Sequence, residues 1–295
     1  MGKRVVCLTT FLVAIGCAVA FVAVLGVATQ RASATVMDYH AFVQSYGDTL
    51  VQYDFDGSTN AERREDKKGS NDLVEKITTT STYDPGGFDA SSRAVDGGFL
   101  TSSAISPSAI AMSFEAVVSP TEKLSGYLAA SLDGTNRGYF GVVKTAKLAA
   151  VAGDSYGNEA VIVSPFDVGD WYYCAVTMSY DSPSTTINTY VANLSDGATI
   201  LTHASTDVSW DGTFQTAIPT GIGLLNGNGN PQSPFYGTID EIAFYSGVMD
   251  LAFFQANLDR ILAVPEPSSL LLLFSAIGIL GLTIRRQRWR RVNTK

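Results

Sequence analysis

Few residues in this chain have the chemistry to act, and their spacing limits what they can do. There are two histidines, His40 and His203; one thiol outside the N-terminal run, Cys174 in "WYYCAVTM"; and an acid pair, Asp240 and Glu241, inside the apolar segment "GTIDEIAFY". Glycoside hydrolysis needs two carboxylates flanking one bond, about 5 to 9 Å apart. In a regular strand successive side chains alternate, so Ile239, Glu241, Ala243 and Tyr245 oppose Thr238, Asp240, Ile242 and Phe244, and the two acids do not form that pair. The same reading puts Glu241 near a sheet edge or on a loop hydrogen bond. No E-x-D-x-x-E arrangement occurs elsewhere, and neither histidine lies in a G-x-S-x-G context that would supply a nucleophile's base. "GIGLLNGNGN" (221–230) has neither a following helical pattern nor a closing Lys-Ser/Thr, so it is a glycine-rich hairpin loop rather than a phosphate cradle. Cys174 has the setting of a small buried hydrophobe. These residues point to a protein that is not an enzyme.

The elements that position them belong to one acidic body. The chain has 295 residues, 46% of them apolar, enough for one large domain with a real core. Between Ala32 and Val264 lie 11 basic and 27 acidic side chains, a net charge of −16. Such a surface repels phosphate backbones, which argues against nucleic acid and leaves cations, basic partners and neutral glycans. Cys7 and Cys17 sit in the N-terminal apolar run, so the body has no second thiol for an internal disulfide and no CxxC metal site.

Both ends carry targeting signals. Lys3 and Arg4 precede an apolar run, Val5 to Ala28, and Ala32-Ser33-Ala34 offers a small-residue exit, so residues 1–34 form a secretory signal helix with cleavage after Ala34. An uncleaved anchor is the alternative, and lipidation at Cys17 a weaker one. At the C-terminus, "VPEPSSLLLLFSAIGILGLTIRRQRWRR" (264–291) holds 15 uncharged residues, Leu270 to Ile284. As a helix they extend about 22 Å; with Pro267 to Ser269 they reach the lower limit for crossing a bilayer. A transmembrane helix over 268–284 followed by the arginine-rich tail 285–295 places the C-terminus in the cytoplasm and the acidic body outside.

Between these ends no repeat or linker divides residues 35–263. Tyr39, Phe42, Val43 and Tyr46 recur at helical spacing with Asp38 as N-cap; "DTLVQYDFDG" then alternates as a first strand. Ala61 to Asp72 is charge-dense and reads as a solvated loop. Short alternating runs separated by Gly, Pro, Asn and Asp follow, the pattern of an all-β antiparallel sandwich with short flanking helices. Late in the body Leu251, Phe254, Leu258 and Ile261 fit one helical face, capped by Asp250.

Two resemblances add to this. Val264 to Ser268 with its Pro265-Glu266-Pro267 motif, the short leucine-rich span and the terminal arginines resemble the PEP-CTERM sorting signal of exported bacterial proteins. That resemblance implies recognition by an exosortase-type processing enzyme, removal of the span and delivery to the cell surface or extracellular matrix. The two prolines suit the role because they keep the outer junction extended. "MSFEAVVSP" (112–120), "GDWYYCAVTMSYD" (169–181) and "FYGTIDEIAFYSGVMDLAFFQ" (235–255) resemble the LamG-like, concanavalin A-like jelly roll, whose strands run F-x-E-x-W-V-x-P, W-H-x-V-A-V-T-Y-D and F-x-G-x-I-D-E-V. Val118 stands near the usual Trp, and Tyr172 and Tyr173 replace histidines.

The jelly-roll resemblance implies a module for carbohydrate or protein recognition, with exopolysaccharide or a cell-surface glycan as partner and calcium as the ion such domains often hold in loops. Asp and Asn oxygens suit calcium, and Asp54, Asp56, Asn226 and Asn228 are the candidate ligands. Tyr127, Tyr156 and Tyr236 lie near loops where they could stack on sugars. A carbohydrate-active enzyme on the same scaffold and a purely structural tethered protein are the alternatives.

Overall fold

A computed structural model describes residues 39–75, 82–83, 87–88, 95–96, 98–123, 126–132, 138–143, 147–152, 159–161, 166–210, 212–214, 217–227 and 230–262. The signal segment, Asp38, Tyr156, Asn228, the sorting motif and the expected membrane span lie outside these residues. The described residues fall within one compact unit, Met37–Leu262. Among them, no helix is long and apolar enough to cross a membrane.

The strands, in chain order, are β1 (Thr49–Tyr53), β2 (Leu73–Glu75), β3 (Thr82–Tyr83), β4 (Val95–Asp96), β5 (Phe99–Thr101), β6 (Ala111–Pro120), β7 (Gly126–Leu132), β8 (Gly138–Val143) and β9 (Leu148–Ala152). They continue with β10 (Glu159–Val161), β11 (Tyr172–Asp181), β12 (Ser184–Asn193), β13 (Thr202–Val208), β14 (Gly221–Ile222), β15 (Leu225–Gly227), β16 (Asn230–Gln232) and β17 (Gly237–Tyr245). One sheet has the order β13-β12-β11-β6-β17-β4-β3, with β1 also pairing β17; the second runs β10-β9-β8-β7-β14-β5-β2, with β15 and β16 at its side. Every pairing between named strands is antiparallel except β15 with β7. The all-β sandwich expected from the spacing of turn residues is the fold observed.

Strand alternation builds two cores from one sheet. Along β11, Tyr172, Cys174, Val176 and Met178 face the second sheet and join Phe114, Leu128, Ala150, Ile222 and Phe244 in the main core. Tyr173 and Ala175 face the other way, as alternation requires. That outer face is covered by two helices, α1 (39–45) and α2 (Leu251–Leu262). Tyr39 and Val43 of α1 and Phe254, Leu258 and Ile261 of α2 pack there against Val117, Ala243 and Tyr245. Each fully buried side chain of this size contributes about 1.5–3 kcal/mol.

Local chemistry fixes the helix ends. The Asp250 carboxylate accepts the Phe253 N–H at 2.8 Å, the expected N-cap. Ser113 Oγ accepts from Met249 N at 2.9 Å and donates to the Gly247 carbonyl at 2.7 Å, which holds the approach to α2 on β6. Thr49 Oγ1 donates to the Val43 carbonyl at 2.7 Å and closes α1.

Three local expectations need correction. Leu251 is 45% exposed, and the α2 face is completed instead by the fully buried polar Asn257. The Ala61–Asp72 segment is not merely solvated: Arg63 and Asp66 are buried, and the Asp66 carboxylate accepts from the backbone N–H groups of Gln52, Lys68 and Asn71 at 3.0–3.2 Å. Glu62, Glu65 and Asp72 of the same segment are exposed, so its charges divide between solvent and internal ligation of the loop. The third concerns β17, where the register against β6 shifts between Ile239 and Glu241. This bulge puts Ile239 with Ile242 and Phe244 in the main core, and Glu241 on the outer face with Ala243 and Tyr245. Strict alternation placed Ile239 with Glu241, and the extra residue breaks it.

Candidate functional site

At the end of the β11–β12 hairpin where Tyr172 pairs with Asn193, the segment before β11 and the loop after β12 enclose a cavity of about 350 Å³. Its walls include Phe166, Asp167, Tyr172, Asn193, Asp196 and Ile200. Phe166 and Tyr172 pack with ring centroids 4.3 Å apart and form the buried base. The loop returns at Gly197, whose φ of +70° is a left-handed geometry natural to glycine. It is tied at both sides: Leu194 N–H donates to the Trp171 carbonyl at 2.8 Å, and Gln255 of α2 donates to the Thr199 carbonyl at 2.7 Å while accepting from Leu201 N–H at 3.2 Å.

The cavity's polar side is acidic and ordered. The Asn193 amide donates to Asp196 at 2.8 Å and Asp170 at 3.0 Å, with the Tyr172 hydroxyl at 3.4 Å. The Asp167 N–H donates to that hydroxyl at 2.7 Å. Burial pushes the Tyr172 phenol upward; the Asp167 N–H opposes this, and the charges of Asp170, Asp167 and Asp196 add to it. The hydroxyl therefore keeps its proton. Beside these groups Ile200 is 77% exposed, an apolar surface at the mouth. Carboxylate acceptors ordered by the Asn193 amide next to an apolar wall suit an uncharged, hydroxyl-bearing ligand, and the acids disfavour anions.

A second polar cluster lies under the helices. Glu115 of β6 is fully buried and accepts from Tyr39 at 2.9 Å, Tyr245 at 2.5 Å, Tyr173, and both ways from Asn257 at 3.1 Å. Burial raises its pKa, opposed by the hydrogen bonds from Tyr173, Tyr245, Asn257 and Tyr39. Near it His40 Nε2 contacts Glu241 Oε1, and Asp56 completes a group whose ligand atoms all lie within 4.8 Å of one another. Glu241 sits in a central strand beneath α1, not at a sheet edge, with a histidine rather than a loop as its partner. Asp240 accepts the Phe88 N–H at 2.7 Å, and Phe88 packs on the outer cluster, so both acids of the pair serve the outer face.

The other residues singled out in the sequence are dispersed. Asp54 and Asp56 follow β1 in one sheet, whereas Asn226 belongs to β15 in the other and donates its amide to the Pro219 carbonyl at 2.5 Å. Asp54 pairs with Lys67 at 3.7 Å and accepts the Asp56 N–H at 3.3 Å. Tyr127 is buried in a small cluster with Ala130, Ala149, Val151 and Leu225, and Tyr236 is 37% exposed. His203 stacks on Tyr190 at 4.8 Å and bonds Asn188 at 3.1 Å. Cys174 is fully buried, which pushes its thiol up and keeps it unreactive. Glu115, Asn193 and Asp196 were missed. An acid inside the apolar "MSFEAVVSP" was a visible signal for the first; "VANLSDG" looked like an ordinary turn.

The profile described as the concanavalin A-like lectin/glucanases superfamily (Laminin_G_3) matches residues 94–252, more than half of the chain. The chain belongs to this superfamily. The PEP-CTERM protein-sorting motif matches residues 263–288 and marks a secreted, membrane-anchored precursor sorted to the cell surface. No curated protein matches the chain in sequence. Among solved structures, this superfamily member is similar to domain 4 of an extracellular arabinanase from Geobacillus stearothermophilus, in complex with arabinotriose (15% identity, 72% of this chain and 98% of that one, TM-score 0.48). It is also similar to a sialidase mutant from Trypanosoma rangeli (12%, 79% and 38%, TM-score 0.49) and a pentraxin from Limulus polyphemus (11%, 57% and 77%, TM-score 0.41).

Proposed function

We propose that the body is a non-catalytic recognition module that binds a neutral carbohydrate of the cell surface or extracellular matrix in the Phe166–Asn193–Ile200 cavity. The observation that carries this reading is the cavity itself: carboxylate acceptors ordered by the Asn193 amide beside an exposed apolar side chain, on a loop fixed by backbone hydrogen bonds. Membership of a lectin and glucanase superfamily supports the ligand class. A non-catalytic role is supported by the positions of the acid pair singled out in the sequence: Asp240 and Glu241 are buried toward the helix-covered face. The sorting motif supports exosortase-type processing, with removal of the C-terminal span before the module reaches its matrix.

Glycan-array binding followed by calorimetry on the full-length chain in detergent tests the recognition. Asp196→Ala should weaken the best glycan by about tenfold or more, the loss of a charged hydrogen bond, while leaving the fold unchanged by circular dichroism. Equal binding by the variant overturns the assignment of the cavity. Deleting Pro265 to Pro267 should leave an unprocessed membrane precursor; unchanged processing overturns the sorting route.

A further inference from the structure

We infer that His40, Asp56 and Glu241 form a binding site for a divalent first-row transition metal of the zinc type, which clasps α1 to the last strand of the sandwich. The three residues come from distant parts of the chain: α1, the turn after β1, and the bulge of β17, with His40 and Glu241 separated by 201 positions. Their donor atoms, one imidazole nitrogen and two carboxylate oxygens, already converge within 4.8 Å. In a tetrahedral zinc site such donors stand about 3.3 Å apart, so small side-chain movements close the set.

An independent feature points to a cation. Glu241 is only 4% exposed, yet its Oε2 has no hydrogen-bond partner among the described residues. A buried carboxylate with an unsatisfied oxygen carries a large desolvation cost that a cation removes. A divalent ion balances the two carboxylates of Asp56 and Glu241.

The choice of metal follows from the ligands. Calcium takes six to eight oxygen donors, whereas an imidazole nitrogen with carboxylates suits zinc and its neighbours. The backbone is shaped for this convergence. Phe55 holds a φ of +53° while its ring is fully buried, and this left-handed residue turns the chain so that Asp56 meets His40 and Glu241. Three protein ligands leave one coordination position for water. The site is separate from the carbohydrate cavity, whose residues lie on β11, β12 and their loops, so either proposal can fail alone.

The test uses the full-length chain in detergent, without a polyhistidine tag, stripped with EDTA and titrated with Zn²⁺. One Zn²⁺ should bind per chain and raise Tm by about 5–10 °C at a hundredfold excess over Kd. Losing an outer partner of a metal ligand costs 10–100-fold, so losing a ligand in His40→Gln or the solvent-reaching Asp56→Asn should weaken binding by about 100-fold or more. Co²⁺ in the wild-type protein should give a visible ligand-field band that His40→Gln lacks. Undiminished Zn²⁺ binding in both variants overturns the proposal. So does a wild-type chain that shows no Zn²⁺ shift, or one stabilised by Ca²⁺ equally with and without His40.

Discussion

On the inner face of β6, Phe114 is fully buried against Phe244, ring centroids 5.6 Å apart, in a mainly apolar core that, among the described residues, contains no carboxylate. One residue on, Glu115 is just as buried on the outer face, among three phenols and an amide. The two cores share strands and differ in what covers them. Among the described residues the two sheets share no strand pairing, and the space between them is filled by side chains of suitable volume. A helix laid on a sheet has no backbone hydrogen bonds to fix its position. Directional bonds take over that role: Tyr39 from α1 and Asn257 from α2 both reach the Glu115 carboxylate. The polar centre is thus a common anchor for both helices, and Gln255 of the anchored α2 also steadies the loop that walls the cavity.

The largest perturbation of this contrast should be Glu115→Ala. It strands several buried donors, each costing about 1–3 kcal/mol, for a total loss of about 3–5 kcal/mol in chemical denaturation. Phe114→Ala should cost a similar 3–5 kcal/mol by leaving a cavity, but only Glu115→Ala should release α1 and α2 first, seen as faster amide exchange in both helices. If the two variants give the same exchange pattern, the anchor idea fails.

Next in size is a polar intrusion into the dry core. Cys174→Ser should cost about 1–3 kcal/mol because its hydroxyl has no designed partner, whereas Cys174→Ala should cost less. The native thiol should stay silent to thiol reagents until the protein unfolds.

The pH response separates the faces more gently. Glu115 holds its proton more tightly folded than unfolded, so its contribution is full below the usual glutamate value of about 4.3 and is lost as pH rises through the raised folded value. Tm should therefore fall as pH rises from mildly acid, and Glu115→Gln should make that fall shallower. Substitutions confined to the inner face should leave the slope unchanged. The smallest effect belongs to the helix end: Asp250→Ala should cost about 1 kcal/mol through the lost cap at Phe253.

Much of the architecture was legible in the sequence. Period-two alternation in "WYYCAVTM" assigned Tyr172 and Cys174 to one face and Tyr173 and Ala175 to the other, and both assignments hold. Asp250 as a cap and Cys174 as core were likewise visible, because each depends on neighbours along the chain. Exposure was less legible: nothing local distinguished buried Tyr127 from half-exposed Tyr236.

The features readable along the chain are therefore local and periodic: strand alternation, turns, caps and the C-terminal motif that matches residues 263–288. Convergence of distant residues came from the folded arrangement alone. The β17 bulge moved Ile239 across the sheet, because a single extra residue inverts the alternation and leaves no mark in composition. The meetings of Tyr39 and Asn257 at Glu115, and of His40 and Asp56 at Glu241, join segments up to about two hundred residues apart. Such contacts depend on how sheets and helices stack in space, and spacing along the chain holds no record of that stacking.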